Sequence, residues 1–190
     1  MSLVKPAEII KQVVEAIPAD CRDNLVIIGS LAAAYHYFSD NDRMAVRTKD
    51  IDWMLKPYEE AVEKGKEIAN QLLDTGWQTL KKGEHQDPGT VETPDEDLPA
   101  IRLVPPGINP EDENSWFLEL LAEPEDIKNH GKSWTRVILN EGHFGLPSFR
   151  YLVLAAYKPE KIERFGVFLA RPQMMALANL LEHPEIKPEL

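Results

Sequence analysis

Asp50 and Asp52 flank Ile51 in the run Asp50-Ile51-Asp52-Trp53-Met54-Leu55. In a strand of period two, both carboxylates point to one face while Ile51, Trp53 and Leu55 point to the other. Carboxylates side by side repel one another, so the pair is poor structural material unless a cation sits between them. Hard oxygen ligands at that spacing suit Mg²⁺ or Mn²⁺, and Mg²⁺ completes its shell with water and substrate phosphates. Upstream, an apolar run Leu25 to Ile28 stops at Gly29-Ser30 and gives way to Leu31-Ala32-Ala33-Ala34-Tyr35. A helix opening on that turn is a ready anion site, because its unpaired N–H groups and the positive end of its dipole face the same way.

The elements that must position these residues follow from the apolar pattern. Strand Leu25–Ile28, a tight Gly-Ser turn and a helix from Leu31 to about Phe38 precede the aspartate strand. Before them, Ile9, Ile10, Val13, Val14 and Ile17 recur at helical spacing after Pro6. Pro57 opens a second amphipathic helix to about Asp74, closed by Gly76, with a short strand expected at Trp77 to Leu80. Residues 81 to 99 read as a long surface loop rich in proline and acids. Ile101–Val104, Trp116–Ala122 and Trp134–Leu139 read as strands, and Gly142 to Gly145 as a turn. Leu146-Pro147-Ser148 is expected to start a long helix, Phe149 to Tyr157, ended by Lys158 and Pro159, and residues 160 to 182 are expected to be helical. Within the second strand, Phe117, Glu119 and Leu121 share one face, which leaves Glu119 as a carboxylate in an otherwise apolar segment.

Gly29-Ser30, a helix, and then Asp50-Ile51-Asp52 resemble the pattern of the DNA polymerase β-like nucleotidyltransferase superfamily. The longer phrase Val46-Arg47-Thr48-Lys49-Asp50-Ile51-Asp52 is similar to that of its AbiEii-like branch, best known as toxins of toxin–antitoxin systems. The resemblance implies that Gly29 and Ser30 hold a triphosphate and that Asp50 and Asp52 hold divalent metal. It implies a third acid from a neighbouring strand, acting as general base or completing a second metal site, for which Glu119 is the candidate and Glu123 the alternative. Arg47, Thr48 and Lys49 belong to the same phrase as nucleotide contacts. Lys158 either faces the triphosphate, as the branch would have it, or caps a helix end. The chain departs from the branch at Arg171-Pro172, where a Lys-Asp pair is usual. The fold implied is α/β (α+β): a small mixed twisted sheet with flanking helices. Residues 1–145 form the nucleotidyltransferase-like catalytic domain, and 146–190 a short helical C-terminal element packed on it.

Composition narrows the partners. With 190 residues the chain suits one domain or one domain with a helical appendage. Its single cysteine, Cys21, fits a reducing cytosol and excludes a cysteine-based zinc site. No apolar run is long enough for a membrane span, so a cytoplasmic protein without membrane attachment is expected. The formal net charge of −11, from 32 acidic and 21 basic residues, repels a nucleic-acid backbone and disfavours broad nucleic-acid binding. A local basic mouth remains open to it, since Arg43, Arg47, Lys49 and Lys56 surround the aspartate pair in sequence. His36 reads as a helix residue rather than a base, and Ser39-Asp40-Asn41-Asp42 as a loop rather than a ligand set.

Two functions compete, beside a third reading in which the chain is an unrelated α/β domain with an incidental Asp-x-Asp. In the first, an NTP bound with Mg²⁺ gives up its nucleoside monophosphate to a hydroxyl of a protein, RNA or small-molecule acceptor, and pyrophosphate leaves. The AbiEii-like likeness adds an antitoxin as a further partner. In the second, the nucleotidyltransferase-like fold serves as a binding or interaction module with weak or no catalysis. Geometry separates them: Glu119 beside the aspartates and an open cleft favours the enzyme, and Glu119 paired with an arginine favours the module.

Overall fold

Two helices and a strand pair form where periodicity says they should. Pro6 starts α1 (Pro6–Ala16), whose Ile9, Ile10, Val13 and Val14 are buried. Its missing N–H is no loss in a first turn. Helix α3 (Tyr58–Asp74) buries Ala61, Gly65, Ile68, Ala69 and Leu72 along one stripe, and Gly76 stops it at φ +92°, a conformation that needs no Cβ. The computed structural model of the chain describes residues 2–38, 46–80, 87–110, 115–126, 128 and 132–186.

The centre is a mixed seven-stranded sheet. Its strands are β2 (Leu25–Ile27), β4 (Asp50–Leu55), β5 (Gln78–Thr79), β6 (Arg102–Val104), β7 (Phe117–Ala122), β10 (Glu160–Ile162) and β11 (Val167–Leu169), in the order β10-β11-β2-β4-β7-β6-β5. β4 runs antiparallel to β2 and parallel to β7. β11 lies parallel to β2 on the other flank. Two smaller sheets pair β1 (Ser2–Val4) with β3 (Val46–Thr48), and β8 (Lys132–Leu139) with β9 (Gly142–Phe149). Helix α2 (Gly29–Phe38) connects β2 to this region, and α4 (Pro172–Ile186) follows β11.

Alternation along the strands divides the core. Ile51, Trp53 and Leu55, with Leu118 and Leu120 beside them, pack against α1 and α3 on one face. Val26, Ile28, Met54 and Leu121 form a second cluster on the other face with Leu152, Ala155 and Met175. Each fully buried aliphatic side chain in these layers contributes about 1.5–3 kcal/mol. The second face is the one that carries Asp52 and Glu119.

The chain after residue 140 differs from expectation. No long helix spans 149–157: residues 142–149 form β9, and only a 3₁₀ helix, Arg150–Leu154, follows. The expected turn at Gly142 to Gly145 is the start of that strand, with Gly142 alone at φ +135°. Pro147 does not initiate a helix; it pairs with Trp134 in the hairpin, where a strand that bonds a partner on one side tolerates a missing N–H. Residues 160–169 are likewise not helical. They form β10 and β11, joined by a turn through Gly166 at φ +72°. The helical C-terminal element expected over 146–190 is therefore realised in α4, while the residues before it contribute strands to the central sheet. Among the described residues, no helix is long and apolar enough to cross a membrane.

Candidate functional site

Parallel pairing of β4 with β7 sets Asp52 directly beside Glu119, and antiparallel pairing of β7 with β6 sets Glu119 directly beside Arg102. Neighbouring strands are about 4.8 Å apart, so the row Asp52, Glu119, Arg102 is continuous across the sheet. Arg102 grips Glu119 through Nε to Oε2 at 2.9 Å and Nη2 to Oε1 at 3.4 Å. Its guanidinium also lies 5.6 Å from the Phe117 ring centroid. Asp50 sits one repeat upstream on the same face, exposed at the start of β4.

The other wall is the start of α2. Ile28 donates its N–H to the carbonyl of Asp52 at 3.0 Å, which ties the turn to the aspartate strand. Gly29 follows at φ +67°, and a Cβ there would lie 2.6 Å from Asp52 Oδ2. Only glycine admits both the backbone angle and the close approach. Ser30 Oγ and Thr48 Oγ1 are 2.8 Å apart. Thr48 spends its proton on the Asp50 carbonyl at 3.0 Å, so Ser30 is the donor in the first bond. Thr48 thereby fastens the turn and the start of β4 to each other.

A cavity of about 290 Å³ opens between this sheet face and α4. Gly29, Asp52 and Glu119 form its polar side, and Leu121, Leu152 and Met175 its apolar side. Burial, then Glu119, then Asp50 push the Asp52 carboxyl up to about 7, against a weaker opposing pull from Arg102. Glu182 from α4 also lines the cavity and accepts the Tyr151 N–H at 3.0 Å.

The sequence-predicted residues divide as follows. Gly29, Ser30, Thr48, Asp50, Asp52 and Glu119 come together. Glu123 does not; it follows the far end of β7, donating its N–H to the Leu55 carbonyl at 2.9 Å, beside Lys56 and Glu59. Lys49 occupies the bend before β4, where its carbonyl accepts the Phe117 N–H at 2.9 Å. Arg47 contributes its backbone to β3 opposite Leu3, and its side chain lies outside the described residues, as do Arg43 and the loop Ser39 to Asp42. Lys56 is turned away, 4.7 Å from the Phe168 ring centroid. Lys158 is exposed at φ 46°, over Tyr157, and is not among the residues that line the cavity. His36 is paired with Glu160 at 3.7 Å.

Arg102, Phe149 and Glu182 are part of the site but carry no sequence signal for it, because each is brought in by a strand register or helix packing that local patterning does not specify. A divalent cation fits the residues present. The donors are hard oxygens, and among the described residues the Asp52 carboxylate has no hydrogen bond or ion pair while two like charges oppose its ionisation. Asp50 and Asp52 are the ligands such an ion would use, with Glu119 next to them on Arg102. The three are not drawn together within 4.8 Å; among the described residues that spacing is met by Asp20, Cys21 and Glu67. That second cluster is already engaged, since Lys64 bonds both Asp20 at 2.9 Å and Glu67 at 3.1 Å, and burial pushes the Cys21 thiol up to about 12. No family model, no curated protein and no solved structure matches the chain.

Proposed function

We propose that the chain is a nucleotidyltransferase-like enzyme, of the AbiEii-like kind, that moves a nucleoside monophosphate from an NTP to a hydroxyl of a protein, RNA or small-molecule acceptor. The observation that carries the reading is the approach of Gly29 to Asp52: a helix start, suited to phosphate, and a half-buried carboxylate, suited to metal, touch at a position where a single methyl would collide. Mg²⁺ or Mn²⁺, when bound, would neutralise phosphate charge and orient the triphosphate. Asp50 and Asp52 hold it, the α2 N-terminus receives phosphate oxygens, and Ser30 and Thr48 keep the two walls in register. Glu119 orients or deprotonates the attacking hydroxyl, provided that Arg102 shares it. The apolar side of the cavity excludes water from the reacting groups. An antitoxin partner and a cytoplasmic setting belong to this reading; membrane attachment and broad nucleic-acid binding do not.

A second reading is favoured by one observation. Glu119 is held by Arg102 at 2.9 Å, as it would be in a module that keeps the fold and binds without transfer. Incubation with α-labelled NTPs and Mg²⁺, offered bulk RNA, protein extract and the chain itself, separates the two. The enzyme reading expects label on one acceptor class, lost in an Asp50→Ala, Asp52→Ala double variant. Absence of transfer to every acceptor selects the module: one that still binds nucleotide if Mg²⁺-dependent binding is intact, and a fold retained for interaction if that binding is absent as well.

A further inference from the structure

Lys132 is a cation that the reading above leaves unused. It opens β8 directly opposite Phe149, and Phe149 lines the cavity. Its ammonium lies 4.0 Å from the Trp134 ring centroid and 5.6 Å from that of Phe149. Among the described residues it makes no hydrogen bond or ion pair. The charges it senses are Glu119, which favours its ammonium, and Arg102, which opposes it. Glu119 is itself already engaged by Arg102, so the ammonium is drawn toward the site without being satisfied there. Lys132 is exposed, and the partial desolvation it does experience lowers its tendency to hold a proton. A stacked ammonium beside a cavity, with its hydrogen-bond donors unspent, is suited to an anion arriving from solution.

We propose that Lys132 is a phosphate-chain contact of this site: the hairpin β8–β9 presents it beside Phe149 at the cavity's edge, where it can reach a polyphosphate whose other end is held at the α2 N-terminus. The inference rests on the nucleotidyltransferase-like reading. It adds to that reading a residue from outside the Gly29 to Leu55 segment, and it assigns the hairpin a role in binding. It also supplies the cation that Lys158 and Lys56, both turned elsewhere, do not bring to the cavity.

Calorimetric titration of the intact chain with Mg²⁺·ATP and with Mg²⁺·tripolyphosphate tests it. The wild type is expected to bind both, Lys132→Gln to bind both about tenfold or more weakly, and Lys132→Arg to recover most of the affinity, because arginine keeps both the charge and the stacking. Thermal melts accompany each variant. If Gln lowers the midpoint, Lys132→Met, which keeps an apolar stem on the two rings, replaces it. A folded variant lacking the ammonium that binds both ligands as tightly as wild type overturns the role of Lys132 alone. Binding of Mg²⁺·ATP without Mg²⁺·tripolyphosphate also overturns it, since phosphate would then not be the anchor. A wild type that binds neither ligand overturns this inference together with the nucleotidyltransferase-like reading.

Discussion

Asp52 is held in a position that costs the folded chain free energy. Burial and its acidic neighbours hold its carboxyl protonated up to about pH 7 in the folded state, against 3.8 for an ordinary aspartate. Between those values the folded chain binds more protons than the unfolded one, so stability falls as pH rises through that window and the whole cost is present above it. Asp52→Asn removes the titrating group. We expect the variant to melt higher than wild type at about pH 8, to show a flatter pH dependence, and to lose Mg²⁺-dependent ATP binding. A melt series in which the variant is the less stable protein at that pH would contradict this account. Arg102 offers a second test at the same scale. Removing it leaves Glu119 beside Asp52 without its counter-charge, so Arg102→Ala should cost about 1–3 kcal/mol. The Arg102→Ala, Glu119→Ala double variant should cost clearly less than the two single losses added together. Additive losses in urea denaturation would show that the pair is not coupled.

At the scale of elements, local patterning found β8 but misassigned β9, as it did β10 and β11. Phe149 to Tyr157 contains leucine, alanine and aromatic residues in a spacing that suits a helix as well as a 3₁₀ turn, and propensity does not choose between them. What chooses is pairing: eight residues of β9 meet eight of β8, and Gly145 donates its N–H to the Pro99 carbonyl at 2.9 Å. The same hairpin organises the acidic loop before β6. Arg136 bonds Asp95 at 2.7 Å, the Thr90 carbonyl at 3.0 Å and His143 Nδ1 at 2.7 Å, and also reaches the Thr93 carbonyl. Residues 87–99 are therefore tied to the hairpin by this guanidinium, together with the backbone pairs Gly89–His143 and Pro99–Gly145, rather than being a free solvated run. Arg136→Ala should raise amide hydrogen exchange in that segment while leaving β4 and β7 protected. Equal exchange in both proteins would mean that the loop is ordered by its own turns.

For the molecule as a whole, most of the polar site was legible before any fold was known. Gly29, Ser30, Asp50 and Asp52 lie within one strand-helix-strand passage, where short-range geometry brings a helix start and the next strand together. Glu119 was legible for another reason: a carboxylate in an apolar strand needs a partner of some kind. Its two partners were not legible. Whether Glu119 meets Asp52 or Arg102 depends on the register of β7 against both β4 and β6, and the sequence supports several registers about equally until both faces of the sheet are covered. The same holds for Lys132, Phe149 and Glu182, which approach the site from residues far along the chain, and for β11, whose short apolar run becomes a strand because β2 has an open edge beside it. Periodicity and residue type thus settle which segments have a face to bury and which residues are costly to bury alone. Long-range pairing decides which of those faces and charges meet, because that energy is released only when strands distant in sequence are brought side by side.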